Sequence, residues 1–315
     1  MSRPSVRWVA AAGPSAPLAD IVRELAPDGD AALAAGRVFV GGRRVLAPDF
    51  AVAPGSVVEL HRERATDAAV HVLFEHAGFV FVDKAPGVAT EPDHAGIDAS
   101  VVARVATELA IPASELHALS RLDVGVSGVV TLARTPEARD DAAALRARGA
   151  LRRRYVAVAT TAPDPRAGRW DQSLAKPRQG RPSTGDQRLA ETRYAVAATA
   201  GPVFLPARAG RTQAHPALLA LSPVTGRTHQ LRLHASGAGA PFFGDATYGG
   251  PARYVLATGA VRSLERVALH AAWVELELGG RTLRIDAPVP PELEALWRDL
   301  GGRDEDWPRA VDLEL

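Results

Sequence analysis

The spacing of the apolar and β-branched segments constrains the fold of this chain most. These segments predict strands at 128–133, 152–159, 191–198, 218–223, 273–278 and 282–287, followed by a closing helix at 290–300. Thr135-Pro136 predicts the start of another helix, and the stretch 168–187, rich in Gly, Pro, Arg and Gln, predicts a surface loop. Parallel neighbours need long crossover connections, usually helices, whereas antiparallel neighbours do not. Strands that follow one another without a steady βαβ rhythm therefore predict an α+β fold with a mixed, mainly antiparallel sheet and flanking helices.

A smaller unit precedes this sheet. The segment Leu18–Leu25 has apolar residues at helical spacing, residues 31–35 predict a second helix, and Gly41-Gly42 predicts a hairpin turn. We therefore predict a small α+β domain at 1–62, a linker at 63–69 and a larger domain at 70–315. The order of elements in the small domain resembles the αL-type RNA-binding domain. Because its second helix carries no cation, a docking or folding module with little RNA contact is the alternative.

Composition excludes several classes of protein. The 315 residues include no cysteine, which excludes disulfides, iron–sulfur clusters and thiolate zinc sites. The chain is 47% hydrophobic, enough for a sizeable core, and its mean hydropathy is near zero. No apolar run reaches the length of a membrane span, and no signal-peptide pattern opens the sequence. We therefore expect a soluble, cytoplasmic protein without a membrane partner, and we expect it to be a monomer.

The cations of this chain are almost all arginines. The net charge is only +1, and lysine occurs only at Lys84 and Lys176, so 35 of the 37 basic residues are arginine. Arginine matches the geometry of phosphates and stacks on bases. Its clusters at 146–154 and 178–193 would suit a phosphate backbone. A bias in genomic base composition, which also enriches Ala, Gly, Pro and Val, is the alternative explanation.

One carboxylate follows a cation in a short polar loop. In His117-Ala-Leu-Ser-Arg-Leu-Asp-Val-Gly-Val-Ser-Gly128 the loop leads into an apolar strand. If the loop is extended, Arg121 and Asp123 share one face, because side chains two residues apart lean to the same side. A carboxylate beside a cation favours its ionised form, so Asp123 is either a nucleophile or half of an ion pair.

A second segment bears on whether Asp123 is a nucleophile or half of an ion pair. About a hundred residues later the chain reads Thr225-Gly-Arg-Thr-His-Gln-Leu-Arg-Leu-His234, followed by Pro241-Phe-Phe-Gly-Asp-Ala-Thr-Tyr-Gly249. In order and spacing, the three segments together resemble the RluA-like family of RNA pseudouridine synthases, with patterns H-R-L-D-x-x-T-S-G, G-R-T-H-Q-[IL]-R-x-H and G-D-x-x-Y-G. The resemblance implies isomerisation of a uridine in ribosomal or transfer RNA, with RNA as the partner and no cofactor.

The resemblance also implies roles for individual residues. Asp123 would be the catalytic carboxylate, Tyr155 would stack on the uracil and relay the proton from carbon 5, and Arg232 would keep the carboxylate ionised. Leu231 would form part of the base pocket. The predicted RNA contacts are Arg121, which would also help to displace the target base, and Lys84, Arg154, Arg227 and His229. Lys84 is equally consistent with a solvated turn residue, and Arg227 and His229 with a helix cap or with hydrogen bonds in their turn.

Other patterns leave alternatives open. His229, His234 and Asp245 do not have a recognised metal-ligand spacing, so we predict no metal. The chain departs from the family pattern at Ser120, where histidine is usual, and at Val126, where threonine is usual.

A non-catalytic RNA-binding or ribosome-assembly factor on the same fold is the first alternative function. A carboxylate-dependent hydrolase is the second, although retaining glycosidases need two carboxylates about 5 Å apart and no second motif supplies one.

Overall fold

The chain forms two compact units in its computed structural model, which describes residues 6–9, 15–61, 70–94, 96–175, 187–207, 210–256 and 259–315. Contacts between Cα atoms group residues 1–68 with 88–116, and residues 69–87 with 117–315. Residues 88–116, which the sequence assigns to the larger domain, thus pack with the N-terminal residues. The predicted linker at 63–69 lies outside the described residues, and the functional domain boundaries stay a prediction.

The first unit combines short helices with a small antiparallel sheet. Its elements are β1 (Val6–Val9), β2 (Ala16–Pro17), α1 (Leu18–Leu25), α2 (Gly29–Ala34), β3 (Val38–Val40), β4 (Arg43–Arg44), β5 (Ala51–Val52), β6 (Val57–Leu60), α3 (Val101–Glu108) and a 3-10 turn (Ala113–Glu115). The sheet order is β1-β6-β3-β4, and β2 pairs with β5. The predicted turn at Gly41-Gly42 is confirmed, because both residues have positive φ, as a tight hairpin requires.

The second unit contains the large sheet. Its strands are β7 (Val70–His76), β8 (Phe79–Lys84), β9 (His117–Ala118), β10 (Ser127–Ala133), β11 (Leu151–Ala159), β12 (Ala167–Trp170), β13 (Ser173–Ala175), β14 (Gln187–Leu189), β15 (Thr192–Thr199), β16 (Val203–Ala207), β17 (Gly210–Ala214), β18 (Ala217–Pro223), β19 (Arg253–Val255), β20 (Val261–Ser263), β21 (Leu269–Leu278) and β22 (Arg281–Asp286). Its helices are α4 (Pro136–Ala147), α5 (Gln230–Gly237), α6 (Pro291–Asp299) and α7 (Asp306–Asp312), with a 3-10 turn at Ala246–Tyr248.

The order of the large sheet is β12-β15-β18-β11-β21-β10-β8-β7, with β22 on β21 and β9 on β10. Strands β10 and β21 are parallel, with Ser127 opposite His270 and Gly128 opposite Ala271. The other pairs along this order are antiparallel. The predicted mixed, mainly antiparallel α+β fold is therefore confirmed. Every residue of β10 is buried, so the loop before it leads directly into a buried strand.

In this unit, helix α4 follows β10, and helices α6 and α7 are the last two elements. Thr135 caps α4 by accepting a hydrogen bond from the Ala138 amide, and Pro136 occupies the first turn, as the sequence predicts. The indoles of Trp297 on α6 and Trp307 on α7 are buried in one apolar cluster. Within the described residues, no helix has the length and apolar character that crossing a membrane requires.

One segment differs from its prediction, and one helix was not predicted. The segment 168–187 was predicted to be a surface loop, but Ala167–Trp170 and Ser173–Ala175 are strands, and residues 176–186 lie outside the described residues. The Trp170 ring stacks on Tyr194 at 4.1 Å between centroids, which stabilises an edge strand that its Gly and Arg residues do not suggest. Helix α7 follows the predicted closing helix and was not predicted; its Pro308 lies in the first turn, where proline is tolerated.

Candidate active site

The loop that carries Asp123 is fixed by backbone and lysine contacts. The carbonyl of Val124 accepts from the Gly87 amide at 2.7 Å and from Lys84 Nζ at 3.4 Å. Lys84 also donates to the Ala85 carbonyl at 3.0 Å, and none of its surface is exposed. Because its ammonium is buried against carbonyls, the geometry favours a role in shaping this loop over the predicted contact with RNA phosphate.

Arg232, on the first turn of α5, connects two carboxylates. Its Nε and Nη2 donate to the two oxygens of Asp245, both at 2.7 Å, and its Nη1 donates to Asp123 Oδ2 at 2.8 Å. Burial alone lowers the pKa of the Arg232 guanidinium, but the hydrogen bonds and charges of Asp245 and Asp123 outweigh it and raise that pKa. The structure thus brings Arg232 to Asp123 as predicted, and adds Asp245 as the second anchor of the guanidinium.

The two carboxylates differ in their access to solvent. The Asp245 side chain is 1% exposed, whereas the Asp123 side chain is 25% exposed. The bidentate pair with Asp245 fixes the plane of the guanidinium, so one remaining N–H is directed at Asp123. The more accessible carboxylate is therefore held by one oxygen in a fixed orientation, and it can approach a bound molecule.

His229 lies beside the same carboxylate. Its Nε2 is 3.7 Å from Asp123 Oδ1, and its Nδ1 is 2.7 Å from the Tyr248 hydroxyl. Burial lowers the pKa of His229; the charge of Asp123 opposes this change and that of Arg232 adds to it. Helix α5 begins at Gln230, and His229 precedes it with φ of 56°. The imidazole thus belongs to the Asp123 site.

Gln230 shapes the turn before α5, a role that the sequence did not indicate. Its Oε1 accepts from the Thr225 hydroxyl at 2.7 Å and from the Arg227 amide at 3.0 Å. Its Nε2 donates to the Glu191 carbonyl at 2.8 Å and to the Thr192 hydroxyl at 3.0 Å. Gln230 therefore connects the turn to β15. In the sequence, its place in the G-R-T-H-Q segment was the available signal for this role.

Tyr155 lies on β11 and is buried. It lines a small cavity together with Ser120, Thr131 and Arg153. Burial raises the pKa of the Tyr155 phenol; the positive charge of Arg153 opposes this, and the negative charge of Asp123 adds to it. The phenol is therefore neutral near pH 7, and it lies within electrostatic range of Asp123.

The other predicted contact residues are more dispersed. Arg121 is exposed in the Asp123 loop, and Arg227 is exposed with its Nε donating to the Leu189 carbonyl at 3.2 Å. Leu231 is buried on α5. Arg154 is only 6% exposed, and its guanidinium lies 5.3 Å from the Trp273 ring centroid, where burial lowers its pKa to about 10. Because this guanidinium is buried beside the Trp273 ring, the geometry does not favour the predicted phosphate contact.

The side chains considered for a metal site, His229, His234 and Asp245, have other partners. His234 Nδ1 is 3.0 Å from the Thr192 hydroxyl, and Asp245 is engaged by Arg232. Within the residues that the structure describes, no three His, Cys, Asp or Glu side chains are grouped as they would be around a metal ion.

A buried polar cluster lies behind the Asp123 loop, where β10 meets β21. Ser127 Oγ accepts from Arg266 Nη2 at 2.7 Å and is 2.8 Å from His270 Nδ1. His270 Nε2 is 3.3 Å from the Ala287 carbonyl, which accepts its proton, so Nδ1 is the acceptor from Ser127. Burial, with the charge of Arg266, lowers the pKa of His270 to about 4. This cluster joins the parallel strands directly after the loop.

The pairing of Asp123 with the buried Arg232 is the contact that the resemblance implies, and comparison with known proteins identifies the family. A family profile described as RNA pseudouridylate synthase matches residues 78–237, a span that includes Asp123, Tyr155 and Arg232. The chain therefore belongs to the RNA pseudouridylate synthase family, of the RluA-like type. It is an isomerase that acts on uridine in RNA.

Curated relatives extend this match. The chain is 28% identical over 293 residues to ribosomal large subunit pseudouridine synthase D of Vibrio parahaemolyticus, covering 86% of this chain and 85% of the relative. It is 30% identical over 270 residues to the protein of the same name from Xanthomonas campestris pv. campestris, covering 78% and 73%. The similarity thus extends well beyond the segments that carry the motifs.

Solved structures share the fold. Human RNA pseudouridylate synthase domain containing 1 has a TM-score of 0.56 at 20% identity, covering 80% of this chain and 98% of that one. Human RNA pseudouridylate synthase domain containing 4 has a TM-score of 0.53 at 21% identity, covering 73% and 92%. At these identities the likeness concerns the architecture alone.

Proposed function

We propose that this enzyme converts a specific uridine of ribosomal or transfer RNA to pseudouridine, with Asp123 as the catalytic carboxylate and without a cofactor. The observation that carries this proposal is the pairing of Arg232 with Asp123, 2.8 Å apart, on the loop that leads into the buried strand β10. The relatives named for the large ribosomal subunit favour ribosomal RNA as the substrate.

The reaction is an isomerisation, so its atoms balance within the uridine. The bond between N1 of uracil and the anomeric carbon breaks, the detached base rotates, and its carbon 5 bonds to the anomeric carbon. Carbon 5 loses one proton and N1 gains one. No electrons are exchanged with another molecule, and the enzyme needs only a carboxylate near the sugar and a group that moves a proton.

Asp123 is proposed for the first task, supplying the carboxylate near the sugar. Its Oδ2 is engaged by Arg232, and its side chain is 25% exposed, so Oδ1 is the oxygen available to the ribose. The bidentate bond of Arg232 to Asp245 prevents the guanidinium from turning away. Either attack on the sugar or assistance to elimination uses the same negative charge at the same oxygen.

Tyr155 is proposed for the second task. Because burial keeps the phenol neutral, it would relay the proton from carbon 5 through its hydroxyl rather than act as a standing phenolate. A uridine within a stack reaches such a buried group only after it is flipped out. Arg121, exposed on the Asp123 loop, would replace the flipped base in the stack, and Leu231 would form an apolar wall under the uracil.

Release of tritium from RNA labelled at carbon 5 of uracil tests this proposal. The purified protein should release tritium to water, and the Asp123→Asn variant should release none above background. The variant should remain folded, because Arg232 keeps its bidentate bond to Asp245. Asp140→Asn, an exposed aspartate on α4, is the matched control and should retain full activity. Equal release by wild-type protein and Asp123→Asn would refute the role of Asp123.

Separate preparations of ribosomal and transfer RNA then identify the substrate. Release from ribosomal RNA, free or within a ribosomal subunit, would agree with the proposal, as would release from transfer RNA. A folded protein that releases tritium from none of these would contradict it and favour the non-catalytic RNA-binding alternative.

A further inference from the structure

His229 contacts the Asp123 site, and the proposed reaction leaves it without a role. Its φ of 56° lies in the left-handed region, which residues with a Cβ seldom adopt. Strained positions of this kind are retained where the surrounding structure fixes them, often at functional sites. The contacts of the ring show what this conformation achieves.

The imidazole is fixed on one side by Tyr248. The two rings meet edge to face at 5.6 Å between centroids, and Nδ1 lies 2.7 Å from the phenol oxygen. Tyr248 is itself immobilised: the Arg232 guanidinium lies 4.8 Å from its ring centroid, and its carbonyl accepts from Ser236 Oγ at 2.8 Å. The ring of His229 therefore has one orientation, set by α5 and the following turn.

That orientation directs Nε2 at Asp123 Oδ1, 3.7 Å away. With the phenol donating to Nδ1, a neutral imidazole carries its proton on Nε2 and presents an N–H to the carboxylate. The distance is slightly beyond hydrogen-bond length, as is common at sites without substrate. A carboxylate oxygen has two lone pairs, so a bond from His229 leaves Oδ1 able to face the ribose.

We propose that His229 is a positioning residue for Asp123: Tyr248 sets its tautomer, and its Nε2–H donates to Oδ1 when RNA binds. Arg232 and His229 then fix the carboxylate through both oxygens. This inference rests on the proposed catalytic role of Asp123. It differs from the phosphate contact suggested by the sequence, because a phosphate contact contributes to RNA binding and a positioning contact contributes to the rate.

Kinetics of tritium release under saturating and limiting RNA separate these roles. We expect His229→Ala to lower kcat about tenfold to a hundredfold, as expected for loss of a hydrogen bond to a charged group, with KM within about twofold of wild type. His229→Gln should recover much of kcat, since its amide can donate from a similar position. A raised KM with unchanged kcat, or no change at all, would overturn the inference.

The Tyr248→Phe variant tests the tautomer without removing the imidazole. The ring remains to support Arg232, but the hydroxyl is lost, so kcat should fall as in His229→Ala while KM is kept. Thr135→Ala, which removes the cap of α4, controls for destabilisation and should leave kcat unchanged. An unchanged kcat in Tyr248→Phe would show that the phenol does not set the tautomer.

The dependence of rate on pH gives an independent readout. The charged and titratable groups facing His229 are Asp123, Arg232, Asp245 and Tyr248. Protonated His229 would form an ion pair with Oδ1 and withdraw it from the sugar, so the rate should fall as pH drops through the lowered pKa of His229. His229→Gln should lack that decline. Inactivity of the wild-type protein would contradict the proposed function itself, whereas an active wild type with an unaltered His229→Ala overturns only this inference.

Discussion

Two buried arginines near the Asp123 loop differ in what surrounds them. The side chains of Arg232 and Arg266 are 8% and 7% exposed. Arg232 bonds to two carboxylates, and its pKa is raised. Arg266 bonds to Ser127 Oγ, to the carbonyls of Val267 and Leu269 and to Glu292, whose side chain is 46% exposed. There burial outweighs the carboxylate, and the pKa of Arg266 is lowered.

Under the proposed function, this difference separates the candidate reactive site from a structural one. Arg232 faces two carboxylates, and the more accessible of them, Asp123, keeps one oxygen that Arg232 does not engage. The Arg266 cluster uses mostly neutral acceptors and connects strands β10 and β21 without leaving a reactive charge. Equal burial of the same residue type thus supports the proposed chemistry in one place and strand alignment in the other.

The largest effect should come from removing the cation of the reactive site. Arg232→Ala leaves two neighbouring carboxylates without their partner, one of them buried, which costs about 3–5 kcal/mol of unfolding free energy. Tritium release should also be lost. Arg262, whose pair with Asp299 is exposed, is the control, and Arg262→Ala should cost at most about 1 kcal/mol. Urea unfolding measures the loss of unfolding free energy in both variants. Similar losses would contradict the conclusion that Arg232 is the cation on which the two carboxylates depend.

The sequence predicted the elements that depend on local chemistry. Helix α1 spans Leu18–Leu25 as predicted, the turn at Gly41-Gly42 is a hairpin, and Thr135-Pro136 begins α4. Each follows from apolar spacing, from glycine conformation or from a side-chain cap within a few residues. Such signals require no knowledge of the rest of the fold, which is why they were sufficient.

The site depends on contacts between distant residues. Asp123 and Arg232 are 109 positions apart, so no spacing rule joins them, and only the family resemblance brought them together. Three features require the three-dimensional packing of the sheet: the anchoring of Arg232 by Asp245, the support of the loop by Lys84 and the burial of Arg154 beside Trp273. A sequence without relatives would have predicted the sheet and left Asp123 as one half of an undefined ion pair.

The next largest effect should be on the pH dependence of stability, through the buried cluster of Ser127, Arg266 and His270. The pKa of His270 is lowered from its ordinary 6.5 to about 4, so the folded state stays neutral while the unfolded chain takes a proton. Stability is therefore complete above pH 6.5 and is lost as pH falls toward 4, by about 3 kcal/mol in all. His270→Asn should flatten this part of the curve of unfolding free energy against pH. Parallel curves for the two proteins would show that His270 does not titrate in this way.

A smaller effect on stability should follow from removing the Ser127 hydroxyl, which links Arg266 to His270. Ser127→Ala should cost about 1–3 kcal/mol, because His270 Nδ1 loses its donor in a buried site. The neutral imidazole is then less favoured, so the pKa of His270 rises and the acid loss of stability shrinks. Ser100→Ala is the matched control, since this buried serine caps α3 at a cost of about 1 kcal/mol. Urea unfolding at pH 7 and pH 5 should show a changed pH dependence in Ser127→Ala alone; the same change in Ser100→Ala would mean that general destabilisation, rather than the Ser127–His270 bond, controls it.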